Sequence, residues 1–157
     1  MSRDEHGSTS DHRRFMELAL EEMAKSVNVT PKVSAVLVAN GEVVAQAHRE
    51  PQIHAERSAI EQALEKGIEL KGSTIYTTLE PCVPLDKKHV SCAELISRVG
   101  ISSVVIGRYD ANSAINRLGW RMLRDAGIRL RDFDADLRAR IDSMNTSFTP
   151  LRSWIRA

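Results

Sequence analysis

Apolar residues recur along the chain at two different periods, which predicts that helices and strands alternate. Spacings of three and four residues indicate helices, whereas short β-branched runs bounded by glycine, proline or asparagine indicate strands. The predicted helices cover residues 11–26, 54–66, 91–99, 114–126 and 134–145. The predicted strands cover residues 33–39, 42–47, 73–78, 103–107 and 128–130.

The connections between the strands predict how the sheet is assembled. Asn40 and Gly41 separate the first two strands, and this dipeptide suits a tight hairpin, so these strands should pair antiparallel. A helix long enough for a crossover separates the last two strands, which should therefore run parallel. The pattern predicts an α/β protein of three layers, in which a mixed five-stranded sheet lies between helices.

Length and composition allow one domain. The chain has 157 residues, of which 42 % are hydrophobic, which is enough for a proper core. Residues 1–11 are polar, so we expect a flexible N-terminal tail with solvated His6, followed by a single domain over residues 12–157 that begins with a solvated His12. No apolar run is long enough to span a bilayer, so we expect a cytoplasmic protein without membrane contact.

The charge balance favours a small substrate. The chain carries 22 basic and 21 acidic residues, a formal net charge of +1, and few aromatic residues (4 %). Nucleic-acid binding proteins usually present a basic surface and stacking platforms for bases. A nucleic-acid partner is therefore not expected.

Three residues have the types and spacing of a catalytic zinc site, namely His54, Cys82 and Cys92. Zinc prefers imidazole and thiolate ligands, and a catalytic site keeps its fourth position for water. Glu56 follows His54 by two residues and can carry protons without binding the metal. The arrangement matches the signature of zinc hydrolytic deaminases, although nine residues rather than two separate the cysteines. A disulfide is disfavoured because the chain lacks a signal peptide or disulfide framework.

Residues 15–130 resemble the cytidine deaminase superfamily, and within it the deaminase domain of riboflavin biosynthesis. The resemblance is carried by the segment Gly-Ser-Thr-Ile-Tyr-Thr-Thr-Leu-Glu-Pro-Cys at 72–82, by residues 31–36, by the His48 to His54 spacing and by Asp110-Ala111-Asn112. It implies a cytidine deaminase-like fold, zinc on the three ligands above, proton transfer by Glu56 and a diaminopyrimidine ribotide as substrate. It also implies a homo-oligomer, a dimer or tetramer, and a reductase step that we expect another protein to supply.

The chain departs from this family where substrate would be contacted, since Thr30 replaces an asparagine and the loop at 83–91 has a different sequence. The candidate substrate-binding residues are His48, Thr30, Lys87, Lys88, His89, Asp110 and Asn112. For most of these residues a simpler structural interpretation is also open. His48 can simply end a strand, the lysines and His89 can be solvated, and the two residues near 110 can form a turn.

Three functions remain to be separated. The sequence favours a zinc-dependent deaminase that converts C–NH2 and water to C=O and ammonia on a small aminopyrimidine or related nucleoside or nucleotide. A tRNA adenosine-type deaminase shares the His-Ala-Glu segment but has the short cysteine spacing. A catalytically silent zinc module would close the fourth coordination position and would have no use for Glu56.

Overall fold

The computed structural model describes residues 9–83, 89–110 and 116–146, and every predicted helix and strand is found among them. The helices are α1 (Thr9–Met23), α2 (Ala55–Glu65), α3 (Cys92–Arg98), α4 (Leu118–Asp125) and α5 (Ala135–Met144). The strands are β1 (Ser34–Ala39), β2 (Glu42–His48), β3 (Thr74–Leu79), β4 (Ser103–Arg108) and β5 (Arg129–Asp132).

The strands form one mixed sheet in the order β2-β1-β3-β4-β5. Strand β1 pairs antiparallel with both β2 and β3, whereas β3, β4 and β5 run parallel. The predicted hairpin is present, with positive φ at Asn40 (53°) and Gly41 (78°). The mixed five-stranded sheet and its parallel final strands are therefore confirmed.

The helices cover the two faces of the sheet unequally. Helices α2, α3 and α4 pack on one face, where Ile60, Ile96 and Leu123 belong to the same buried cluster. Helices α1 and α5 pack on the other face through residues such as Leu20 and Leu137. The result is the predicted three-layer α/β/α arrangement.

The ends of four strands lie together along one edge of the sheet, namely the edge formed by the carboxyl ends of β3 and β4. The parallel strands β3 and β4 end there at Leu79 and Arg108. Because β1 runs antiparallel to β3, it begins at this edge, and its first residue Ser34 lies opposite His48, the last residue of β2. Ligands of α/β proteins bind outside the carboxyl ends of parallel strands, so this edge is the place to look for a site.

Two differences from the expected elements concern the helix ends. Helix α1 begins at Thr9, so it includes three residues assigned to the tail, while residues 1–8 lie outside the described residues. Helix α4 begins at Leu118 rather than near residue 114, after a turn at residues 116–117.

The expectation of a solvated His12 is wrong. Its side chain is buried, at 6 % exposure, because α1 crosses the sheet above Tyr76. The Nδ1 atom of His12 lies 2.6 Å from the hydroxyl of Tyr76, and the two rings are in contact. The burial of His12 was therefore not apparent from the polar residues around it in the sequence.

Across the described parts of the chain, no helix combines the length and the apolar character that crossing a membrane requires.

Candidate active site

His54, Cys82 and Cys92 converge at this edge of the sheet. One ligand atom from each residue lies within 4.8 Å of the other two, and the Nδ1 atom of His54 is 3.6 Å from the Sγ atom of Cys92. His54 is the N-cap of α2, Cys82 follows β3, and Cys92 is the first residue of α3. Three elements therefore each contribute one side chain to the cluster.

Helix α3 explains why the cysteines meet although nine residues separate them. Its first two backbone N–H groups point at Cys82: that of Cys92 donates to Cys82 Sγ (3.2 Å), and that of Ala93 donates to Cys82 O (3.0 Å). A capping box between Ser91 and Glu94 fixes where the helix begins. The start of α3 therefore holds Cys82 next to Cys92.

Hydrogen bonds link the three side chains and shift their pKa values. A hydrogen bond from Cys92, supported by one from His54, lowers the pKa of the Cys82 thiol to about 4 although burial opposes this. The same bond to Cys82, together with burial, raises the pKa of Cys92. The hydrogen bond with Cys82 also raises the pKa of His54. Zinc binds deprotonated thiolates and neutral imidazole, so binding of the ion would release the protons that these groups carry.

This donor set fits a zinc ion. Two thiolates and one imidazole are ligands that zinc accepts in tetrahedral sites, and three protein ligands leave a fourth position for water or substrate. The two thiolates also balance the charge of the ion in this partly buried place.

Glu56 lies in the first turn of α2, beside the cluster, and lines a cavity that His54 and Cys82 also line. Its side chain is 4 % exposed, and burial raises the pKa of its carboxyl group. The Oγ1 atom of Thr77, on β3, lies 3.1 Å from Glu56 Oε1. A buried carboxyl group next to a metal-ligand cluster is a typical position for a general acid and base.

The cavity has a volume of about 300 Å³, at the small end of the range for ligand sites. Its wall is largely apolar, and Pro31, Val33 and Leu79 contribute to it. This size suits a substituted heterocyclic ring. A water molecule against an apolar wall finds few hydrogen-bond partners, and electrostatic interactions are stronger where water is scarce. Polar groups in this cavity can therefore interact strongly with a bound ring.

The candidate substrate-binding residues divide into three groups. Asp110 lines the cavity, whereas Thr30 lies next to the lining residue Pro31 without lining it. His48 and His89 do not line it either: His48 Nδ1 lies 3.0 Å from Glu22 Oε1, and His89 is exposed. Three further candidates lie outside the described residues, and these are Lys87, Lys88 and Asn112.

Arg49 is a site residue that sequence reasoning missed. It is the one guanidinium among the described residues of the cavity wall, and its Nη1 donates to the carbonyl oxygen of Pro31 (3.3 Å). Its charge reaches His54, where it opposes the raised pKa of the imidazole. The only signal in the sequence was a basic residue directly after β2.

Glu80 is the second site residue that sequence reasoning missed, and its side chain bonds backbone N–H groups. Its buried carboxylate accepts three N–H groups, from Asp110 (3.2 Å), Arg117 (3.0 Å) and Trp120 (3.0 Å). It thereby joins the Asp110 segment and the start of α4 to the turn that carries Cys82. At Gly119 the helix lies so close that a Cβ atom would be 2.1 Å from the carbonyl oxygen of Pro81.

Comparisons with known proteins agree with this geometry. Residues 9–108 match the family model described as the cytidine and deoxycytidylate deaminase zinc-binding region. The chain is 40 % identical over 119 residues to the riboflavin biosynthesis protein RibD of Haemophilus influenzae, over 73 % of this chain and 31 % of that protein. It is 36 % identical over 103 residues to the diaminohydroxyphosphoribosylamino-pyrimidine deaminase of Buchnera aphidicola, over 64 % of this chain and 67 % of that protein.

A solved structure shares the fold. The diaminohydroxyphosphoribosylaminopyrimidine deaminase/5-amino-6-(5-phosphoribosylamino)uracil reductase of Thermotoga maritima superimposes with a TM-score of 0.75 and 35 % identity, over 86 % of this chain and 39 % of that chain. The chain spans about a third of the length of the RibD relatives it matches. The predicted resemblance and fold class are therefore confirmed.

The bonds of Glu80 lead to a prediction about stability. Glu80→Gln leaves one acceptor oxygen for three N–H groups and turns an NH2 group towards donors, so we expect the free energy of unfolding to fall by about 1–3 kcal/mol. Urea denaturation of the purified protein measures this. Glu94→Gln is the matched control, because a glutamine serves equally well at that position of a capping box. Equal stability of the two variants would contradict the role assigned to Glu80.

Proposed function

The chain belongs to the cytidine and deoxycytidylate deaminase family, and on this basis we propose that it is a zinc-dependent hydrolytic deaminase. The reaction is C–NH2 plus water to C=O plus ammonia on a small aminopyrimidine. One observation carries the proposal: His54 and Cys82 of the ligand cluster line the same small cavity as the buried carboxyl group of Glu56. A purely structural zinc site would have neither the open position nor the acid beside it.

Glu56 is the proton carrier in this mechanism. A zinc ion held by the three ligands supplies Lewis acidity, which lowers the pKa of water near it. Glu56 accepts a proton as water adds to the ring carbon that bears the amine, and returns it to the ring nitrogen. It then transfers the second proton of the water to the departing amine, which leaves as ammonia. The pKa of Glu56, raised by burial, suits a group that must both accept and release protons.

We propose an aminopyrimidine that carries an oxygen acceptor, such as a diaminopyrimidine ribotide, as the substrate. The names of the relatives support this class, and the cavity has room for a ring of this size. Arg49 is placed on the wall to donate to a ring carbonyl or a phosphate oxygen, which a guanidinium binds well. Asp110 is suited to accept from a sugar hydroxyl. Lys87 and Lys88 remain proposed phosphate ligands.

Turnover and zinc content test the proposal together. We expect the protein to bind one zinc ion and to release ammonia from the diaminopyrimidine ribotide in a panel with cytosine, adenine and guanine compounds. Glu56→Gln should keep the zinc and lower kcat by about 10²–10⁴-fold, because the proton carrier is lost. Cys82→Ala and Cys92→Ala should lose the zinc, measured by atomic absorption.

Three results would count against this function. Full activity in Glu56→Gln would refute the assigned mechanism. Wild-type protein that is folded, contains zinc and releases no ammonia from any member of the panel would refute the substrate class, and protein that binds no zinc would favour a non-enzymatic role.

Arg49 provides a prediction about recognition. Arg49→Gln removes a charged donor, so we expect KM for the ribotide to rise about 10- to 100-fold while zinc content is unchanged. Comparing ribotide with ribonucleoside locates the contact, because a phosphate contact affects only the ribotide whereas a ring carbonyl contact affects both. Arg98→Gln, which removes the same charge from an exposed position at the end of α3, is the control. An unchanged KM in Arg49→Gln would exclude this contact.

We also propose that the protein is a cytoplasmic homo-oligomer, a dimer or tetramer. Val43 on the edge strand β2 (37 % exposed) and Leu64 on α2 (48 % exposed) present apolar surface that a second copy could cover. Sedimentation of the purified protein measures the assembly. A monomer at micromolar concentration would contradict this expectation.

A further inference from the structure

Thr77 connects the proposed proton carrier to the sheet. It lies on the central strand β3, between Ala35 of β1 and Ile106 of β4, and it is fully buried. Its Oγ1 atom is 3.1 Å from Glu56 Oε1 and 2.8 Å from the carbonyl oxygen of Leu79. Strand β3 pairs with its neighbours through backbone hydrogen bonds, so the Thr77 hydroxyl is not needed for the pairing of the strand.

The two contacts cannot both be donated by the hydroxyl, because it has a single proton. A hydroxyl can also accept through its lone pairs, so the single Thr77 hydroxyl can link the Glu56 carboxyl group to the carbonyl oxygen of Leu79.

The surroundings keep this hydroxyl in place. A β-branched side chain has few accessible χ1 rotamers, and Thr77 is paired on both sides within the sheet. Glu56, in contrast, has a long side chain that begins on α2 and must reach the metal-ligand cluster. The rigid group is therefore Thr77, and the group that needs orientation is Glu56.

We propose that Thr77 is a positioning residue, whose hydroxyl holds the Glu56 carboxyl group in the orientation for proton transfer. This inference rests on the proposed function, since it assigns Thr77 a part in the same reaction. Thr77 itself does not touch the substrate.

Valine and serine variants separate the hydroxyl from the shape of the side chain. Thr77→Val keeps the shape and removes the hydroxyl, so we expect kcat to fall about 10- to 100-fold, as for a misplaced catalytic group, with KM changed less than about twofold. Thr77→Ser keeps the hydroxyl and should retain most of the wild-type kcat. Full kcat in Thr77→Val would overturn the proposal. If the valine variant does not fold, Thr77→Ser and Thr77→Ala make the same comparison, because they differ only in the hydroxyl.

The neighbouring Thr78 provides a matched control. It is equally buried on the same strand, but its Oγ1 accepts the N–H of Ser34 (2.9 Å) and makes no bond to Glu56 in the structure. Thr78→Val should lower the melting temperature through the lost bond and leave kcat within about twofold of wild type. An equal loss of kcat in Thr77→Val and Thr78→Val would show a general disturbance of β3 and overturn the proposal.

A spectroscopic measurement tests the contact without turnover. In zinc-loaded protein labelled with 13C at the glutamate carboxyl carbons, the Glu56 resonance is the one absent from Glu56→Gln. We expect Thr77→Val to shift this resonance and Thr78→Val to leave it in place. An unmoved resonance in Thr77→Val would overturn the proposal whatever the substrate. Wild-type protein that releases no ammonia but shows the expected shift would instead refute the proposed function alone.

Discussion

The buried carboxylate of Glu80 is the contact on which the arrangement of the site depends. A charge in this position would be costly without partners, and the three N–H groups from Asp110, Arg117 and Trp120 stabilise it. These donors include the start of α4, whose partial positive charge favours a carboxylate. The backbone N–H of Glu80 also donates to the carbonyl oxygen of Arg108 (2.7 Å), which extends the pairing of β3 with β4 beyond the strand end. The next two residues along the chain are Pro81 and Cys82.

The segment from Glu80 to Cys82 is thus held from two directions. Helix α4 is attached through Glu80, and helix α3 is attached through the two N–H groups that point at Cys82. These two attachments together determine where the Cys82 sulfur points. The long spacing between the cysteines is therefore compatible with a compact ligand cluster, since the first N–H groups of α3 bond Cys82 directly.

The same edge of the sheet supplies an environment in which a proton can be moved. Glu56 is buried at the start of α2 against a largely apolar wall, and it has a hydrogen-bond partner in Thr77. Polar interactions are stronger where water is scarce, so a few groups suffice to bind and orient a small ring. Arg49 and Asp110 supply opposite charges on a wall to which Pro31, Val33 and Leu79 contribute apolar surface.

Much of the fold could be predicted, because the signals that specify it are local. Hydrophobic periods of two and of three to four residues specify strands and helices from short windows, and the Asn40-Gly41 turn specifies its own hairpin. The three proposed metal ligands could be selected because few residue types bind zinc. His12 was misjudged because its local sequence is polar, whereas its burial depends on Tyr76, 64 residues away in the chain.

The sequence by itself determined the elements, the mixed sheet, the family resemblance and the ligand types, because each of these follows from neighbouring residues or from the chemistry of single side chains. Only the tertiary structure decided that Glu80 holds α4, that Thr77 contacts Glu56, that Arg49 lines the cavity and that His48 lies beside Glu22. The physical reason is that such partners lie far apart along the chain. The order and direction of the strands bring them within hydrogen-bond distance, and no local pattern records that choice.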